Sequence, residues 1–272
     1  MMSKLPENNN LVSFDKDYGL YFNDLSWVPA PRYVLRRFRV CKILRGISTA
    51  RILEVGCGAG ALSYDCWQKG YEVEVLERSA EARLVASQTL LNTAVAKSIH
   101  AESLDWNQQF DVIMSFEVLE HIENDKAALI EWLKWLKPGG MCLLSVPALM
   151  SKWGPKDVWA GHFRRYEKQE FLKLMNDCGL ECIHFETYGY PLTYLTNILR
   201  DRIHNADSKK RPVGDLEGTE RSGIERKSEA KLFSFQQSYI GRMLMRLCCH
   251  AQSAFAKFGL GDGYIVLAKK KN

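Results

Sequence analysis

The sequence predicts an α/β protein built on a doubly wound, mainly parallel sheet, and three observations predict it. Short apolar runs bounded by Gly, Pro and Asp alternate with helix-length amphipathic segments. A strand-like run at 51–55 feeds straight into Gly56-Cys57-Gly58-Ala59-Gly60 and then a helical pattern. A second strand-like run, at 71–76, stops at an acid, Glu77. Its 272 residues and 46% hydrophobic content suit one large domain with insertions better than two independent cores.

In order along the chain, residues 1–26 read as irregular. Pro29 and Pro31 lead into a helix over 33–44, where Val34, Leu35, Phe38, Cys41 and Leu44 recur at helical spacing and Arg36, Arg37, Arg39 and Lys42 fill other positions. The strand at 51–55 and the glycine turn come next, with a helix ended by Gly70. Ser79 caps a helix over 80–91, and a weak strand follows near 95–100. A clear strand covers 110–116, a helix 125–136, a turn Lys137-Pro138-Gly139-Gly140, and a buried strand 141–146. A helix over 167–178 stops at Gly179, and a strand covers 180–187. Residues 191–204 and 235–258 read as helices around a charged loop at 205–231, before a last strand at 263–268. The alternation sets a core at 49–187, preceded by a segment 1–48 and followed by an insertion 188–262 and a final strand with its basic tail, 263–272.

The formal charge of +5 suits an anionic ligand or surface without demanding nucleic acid. None of the eight cysteines forms a Cys-x-x-Cys pair, and the N-terminus is polar rather than leader-like. Reduced thiols and a cytoplasmic location are expected, with no metal site. The apolar stretch 240–260 is interrupted by Arg242, Arg246, His250 and Lys257, so it does not read as a spanning helix. That helix and the basic one at 33–45 read as covers for a pocket in preference to membrane anchors.

Glycines between a strand and a helix let bare backbone approach a ligand, and the helix start offers free N–H groups. The spacing here is Gly-x-Gly-x-Gly. A dinucleotide fingerprint wants Gly-x-Gly-x-x-Gly, and a phosphate loop wants Gly-Lys-Ser/Thr; position 61 is Ala, and the second motif is missing. Glu77 stands where an acid accepts both hydroxyls of a ribose.

These residues resemble a known family. Leu53-Glu54-Val55-Gly56-Cys57-Gly58-Ala59-Gly60 is similar to the first motif of class I S-adenosylmethionine-dependent methyltransferases. Residues 110–122, with Glu117-Val118-Leu119-Glu120-His121, resemble their fourth-strand motif, and Leu136-Lys137-Pro138-Gly139-Gly140 their turn before the fifth strand. The resemblance covers 51–187, resumes at the last strand, and is nearest to bacterial small-molecule and quinone O-methyltransferases. It implies a seven-stranded, Rossmann-like sheet with one antiparallel strand and a terminal hairpin. It implies that S-adenosylmethionine is held by Glu54, Gly56, Cys57, Gly58, Gly60, Glu77 and Arg78, with Phe116 and Glu117 alongside. A turn at Glu102, Ser103 and Leu104 would flank the adenine, although many relatives carry an aspartate near that turn.

Methyl transfer is an in-line displacement that needs alignment and, for a hydroxyl acceptor, a base. His162 is the first choice and His121 the alternate, since both follow strands at the ligand-binding rim. His100, His184, His204 and His250 lack that placement. Arg164 and Arg165 are expected to grip an acidic acceptor, or else to be surface cations near a helix start. Tyr166 and Trp159, with Trp27 and Trp153, are expected either to wall the acceptor pocket or to pack as core. The reading is methylation of a small molecule at a hydroxyl or carboxylate oxygen. Its alternatives are N- or C-methylation, a nicotinamide oxidoreductase, and a non-catalytic membrane-surface or partner-binding protein on the same fold.

Overall fold

A computed structural model of the chain describes residues 11–48, 50–194, 196, 214–215, 218–219, 223–224 and 226–271. Its centre is a seven-stranded sheet. In chain order the strands are β3 (Arg51–Val55), β4 (Glu72–Leu76), β5 (Ile99–His100), β6 (Phe110–Phe116), β7 (Leu136–Pro147), β8 (Leu180–Tyr188) and β9 (Gly263–Lys270). The spatial order is β5-β4-β3-β6-β7-β9-β8. All neighbours are parallel except β9, which runs antiparallel to β7 on one side and β8 on the other. The doubly wound sheet and its antiparallel strand are as expected.

Burial on both faces explains why these strands read as near-continuous apolar runs. One face packs Leu53, Ile113, Leu144 and Val266 under α4 (Asp125–Trp135) and α6 (Lys168–Asp177), with the short α5 (Pro155–Trp159) between them in the chain, through Trp132, Leu133, Phe171 and Met175. The other packs Ile52, Met114, Leu143 and Ile265 under α1 (Pro31–Leu44), α2 (Ala61–Gln68) and α3 (Ala80–Thr89).

Several boundaries differ from the sequence reading. Residues 12–22 are not irregular: β1 (Val12–Asp15) and β2 (Gly19–Phe22) form a hairpin. Asp15 Oδ1 closes its turn by accepting from the Asp17 and Tyr18 N–H groups, while Tyr18, Leu20 and Phe22 are buried. The strand near 95–100 shrinks to two residues after a 3-10 turn over Ala94–Lys97. Pro138-Gly139-Gly140 does turn the chain, but as a bulge inside β7, where pairing jumps from Phe110↔Leu136 to Val112↔Met141. A proline is tolerated in a strand at such an interruption. The helix expected at 235–258 is two helices, α7 (Lys227–Gln237) and α8 (Tyr239–Phe255). Ser238 breaks them, its Oγ accepting from Gly241 N at 3.2 Å as the cap of α8. Residues 227–231 of the expected loop therefore belong to α7; most of the expected 191–204 helix lies outside the described residues. Among the described residues, no helix is long and apolar enough to cross a membrane.

The basic positions of α1 are not a solvated face. Arg37 forms a bidentate pair with Asp65, both bonds 2.6 Å, and Arg39 forms one with Glu186, its Nε–Oε1 bond 2.7 Å. Both arginines are buried. Removing one partner of such a pair strands the other charge, at about 3–5 kcal/mol. Arg39→Ala should therefore lower Tm by roughly 10 °C, whereas Lys42→Ala, on the same helix, should leave a thermal melt almost unchanged.

Candidate active site

The carboxyl ends of β3, β4 and β6 open into a cavity of about 990 Å³. That is large for one small ligand and fits a cofactor with an acceptor beside it.

At the cofactor end the three glycines divide their work. All have positive φ: Gly56 +73°, Gly58 +55° and Gly60 +73°. A Cβ on Gly56 would overlap Val118, and one on Gly60 would meet Leu90 and Ala86, so Gly60 serves the packing of α2 on α3. Gly60 does not line the cavity. Gly58 faces the open side, where the nearest atom to such a Cβ is the Gly223 carbonyl at 3.7 Å. Glu77 accepts from Gly58 N at 2.8 Å and Ser79 N at 3.0 Å. Burial raises its pKa while those N–H bonds oppose the rise. Glu54, beneath the turn, accepts from Ser63 Oγ, and burial pushes its pKa up to about 7. Cys57, Arg78, Phe116 and Glu117 also line the cavity, and burial keeps the Cys57 thiol protonated.

Glu102, Ser103 and Leu104 do not join them. All three are exposed and outside the cavity lining, because β5 ends after two residues and the chain beyond it runs along the surface. Ala82 of α3 and Ala128 and Trp132 of α4 do line the cavity.

At the acceptor end, Trp159 gives an aromatic wall and Arg32, Arg36 and Lys156 bring positive charge, while Trp27 and Tyr33 line the cavity where they pack by Ala59 and Ala61 of the glycine turn. Trp153 is not part of the lining. The cover is α7, through Leu232 and Gln236; the lining includes no α8 residue, so the reading of 240–258 as a lid is corrected to α7.

Both expected histidines face this end. His162 Nδ1 lies 2.8 Å from Asp157 Oδ1, an oxygen that also accepts from Arg165 Nε at 2.9 Å. Asp157 Oδ2 accepts from Gly154 N at 2.9 Å. Although burial opposes it, His162, Arg165 and Lys156 hold the Asp157 carboxyl down to about 2. Asp157 thus fixes the ring of His162, whose own pKa burial lowers. The His121 ring meets it edge-on at 4.7 Å, and desolvation lowers His121 to about 3. His121 Nδ1 lies 3.1 Å from Thr219 Oγ1.

Two carboxylates beside these rings differ sharply. Glu117, at φ +61°, accepts from Tyr188 Oη at 2.9 Å and Ser145 Oγ at 3.0 Å, and pairs with Arg32 at 2.6 Å. Despite its burial, Arg32 and Arg36 hold its pKa down. Glu120 is fully buried, neither of its oxygens has a hydrogen-bond partner among the described residues, and it lies 3.8 Å from His162 Nε2. Burial and the nearby Glu117 charge raise its pKa strongly, which keeps it protonated. Glu120, His121 and His162 each offer a ligand atom, all within 4.8 Å of one another. That spacing and mixed oxygen–nitrogen donor set fit one divalent ion, a grouping the sequence reading did not anticipate.

Arg164, Arg165 and Tyr166 are corrected. Arg164 donates to the Glu123 carbonyl at 2.6 Å and pairs with Asp125 at 2.8 Å. Arg165 is buried between Asp157 and Asp262 (Oδ1, 3.2 Å) and also donates to the Ala148 carbonyl. Tyr166 packs on Phe171 and donates to Asp125 at 2.9 Å. None of the three lines the cavity. The sequence reading missed Arg32, Arg36, Lys156 and Asp157; only Glu120 carried a signal, as part of Glu117-Val118-Leu119-Glu120-His121.

A family model described as a methyltransferase domain matches residues 31–185. Among similar proteins are ubiquinone biosynthesis O-methyltransferases. That of Psychrobacter cryohalolentis is 36% identical over 107 residues, covering 37% of this chain and 42% of the relative. That of Rickettsia bellii is 31% identical over 103 residues, 36% and 42%. The chain thus spans under half the length of these two relatives. Rickettsia canadensis has one 25% identical over 182 residues, 58% of this chain and 73% of the relative. Two solved structures share the fold. The [4+2]-cyclase SpnF has TM-score 0.54 at 16% identity, covering 94% of this chain and 87% of that one. A candidate sarcosine dimethylglycine methyltransferase from Galdieria sulphuraria has TM-score 0.52 at 15% identity, covering 94% of each. With the family model spanning more than half of its length, and with the sheet and glycine turn in place, the chain belongs to the class I S-adenosylmethionine-dependent methyltransferase family.

Proposed function

We propose that this chain transfers a methyl group from S-adenosylmethionine to an oxygen of a small-molecule acceptor. The observation that carries the reading is one continuous cavity, lined at one end by Gly58 and Glu77 and at the other by His162 on its Asp157 support. The bound cofactor supplies an electrophilic methyl and leaves as S-adenosylhomocysteine. Glu77 meets the ribose hydroxyls, and Glu54 lies beneath the methionine end. His162, kept uncharged by burial, takes the hydroxyl proton at Nε2, while Asp157 keeps Nδ1 protonated and offsets the charge that forms. Trp159 in the cavity wall favours an aromatic acceptor. Arg36 takes the role once given to Arg164 and Arg165: it lines the cavity, and its buried Nε has no hydrogen-bond partner among the described residues. Oxygen as the target follows the names of the curated relatives. The free cysteines suit a reducing, cytoplasmic setting.

Isothermal calorimetry with S-adenosylhomocysteine and with NAD separates this from an oxidoreductase. Glu77→Ala should weaken S-adenosylhomocysteine by about 10–100-fold, the loss of one or two charged hydrogen bonds, with the circular dichroism spectrum intact. An unchanged affinity overturns the cofactor assignment. A screen of phenols and acids with labelled cofactor then finds the acceptor.

The cluster of Glu120, His121 and His162 favours a second reading, in which these side chains hold a divalent ion that lowers the acceptor's pKa. Activity that survives EDTA supports His162 as the base; activity that is lost and then restored by Mg²⁺, Mn²⁺ or Zn²⁺ supports the ion.

A further inference from the structure

We propose that the outer face of α8, with the end of α7 beside it, docks on the surface of an anionic lipid bilayer. The inward stripe of α8 is Gly241, Met245, Cys249 and Gln252, all buried, with Gln252 donating to the Leu35 carbonyl and accepting from Gly189 N. A helix with one such stripe should be polar on its other side. This one is not. Ile240, Met243, Leu244 and Leu247, at i, i+3, i+4 and i+7, form a second apolar stripe facing solvent, and Leu247 is 64% exposed. No charged residue interrupts it. The patch continues into Tyr239 (83% exposed), Phe235 of α7, and Phe258 (70% exposed) past the helix end. Exposed apolar surface of this extent marks an interaction site.

Charge selects the occupant. Residues 230–261 carry Lys231, Arg242, Arg246 and Lys257 and no aspartate or glutamate. Arg246 flanks the stripe on the Met243 side, and Arg242, one turn earlier, is turned inward over the Tyr18 ring. They are anchored from below by Asp15 and Asp17 of the hairpin, yet the Arg246 side chain remains 49% exposed. Lys231 and Lys257 are exposed at the two ends. Basic flanks around an apolar stripe suit anionic headgroups over acyl chains. Since no described helix is long and apolar enough to span a bilayer, the face lies on it. Leu232 both lines the cavity and is 59% exposed, so the docking face adjoins the cavity wall. The proposal does not depend on which acceptor is methylated.

Flotation of the full chain with phosphatidylcholine vesicles, with and without phosphatidylglycerol, tests it. The protein should float only with the anionic vesicles and should be released by high salt. The double variant Met243→Glu with Leu247→Glu should cut the floating fraction by about tenfold, with S-adenosylhomocysteine affinity and thermal melt unchanged. Absence of flotation, or flotation indifferent to lipid charge, overturns the proposal. So does sedimentation showing a lipid-free dimer that the double variant splits, because the stripe would then be a subunit interface. If the variant misfolds, the lipid and salt dependence of the unaltered chain still decides.

Discussion

Arg165→Ala should cost about 3–5 kcal/mol of stability at neutral pH, the usual penalty for breaking a buried ion pair. Its guanidinium is the shared partner of Asp157 and Asp262, and all three side chains are almost fully enclosed. The loss should depend on pH with a definite sign. Asp157 is held at about 2, and Asp262 is driven well below the usual carboxylate range by Arg32, Lys156 and Arg165. Depressed carboxylates contribute stability that is present above their unfolded pKa and disappears as pH falls through the folded one. The gap between Arg165→Ala and the unaltered protein should therefore be widest near pH 7 and narrow on acidification. Thermal melts across that range measure it. Arg164→Ala, one position away, should cost under about 1 kcal/mol, because its pair with Asp125 is partly exposed. Equal losses at the two sites would contradict the burial that separates them.

His162→Ala should lower kcat by about 10²–10⁴-fold, the usual contribution of a positioned general base, and should leave S-adenosylhomocysteine affinity near its original value. The parent enzyme should lose kcat/KM as pH falls and the imidazole takes up a proton. Because burial depresses that pKa, the acid limb should sit below the ordinary histidine range. The limb should vanish in the variant. His121→Ala makes the comparison: its pKa lies near 3, so any loss there should show no matching acid limb. An unshifted limb in His162→Ala would remove His162 from the proton transfer.

Much of this was legible along the chain, and the reason is locality. The strand at 51–55, the glycine turn and Glu77 declare themselves because strand, turn, helix and strand follow one another without interruption. The hairpin at 12–22 escaped because four-residue strands barely show a period of two. Arg164 and Arg165 illustrate the other limit. Their residue types were read correctly as charge-pairing groups, but the partners Asp125, Asp157 and Asp262 lie far off in sequence, and nothing local says which way each side chain points. Asp157 was hidden for the same reason, and Glu120, though inside a quoted motif, gave no local sign that it meets His162. The basic helix read as a pocket cover, and its buried pairs with Asp65 and Glu186 could not be seen because those partners lie far off in sequence. Glu102, Ser103 and Leu104 failed differently: a family pattern was carried over to a strand that here is only two residues long.

The contact between Gly56 and Val118 couples two distant stretches of the chain. The glycine at the end of β3 leaves the space that Val118, just beyond β6, fills. Drift at either position is thus constrained by the other: a side chain at 56 requires a smaller one at 118, and a bulkier 118 presses on bare backbone. Two stretches that read as separate motifs along the chain are, in space, a single interlocking joint.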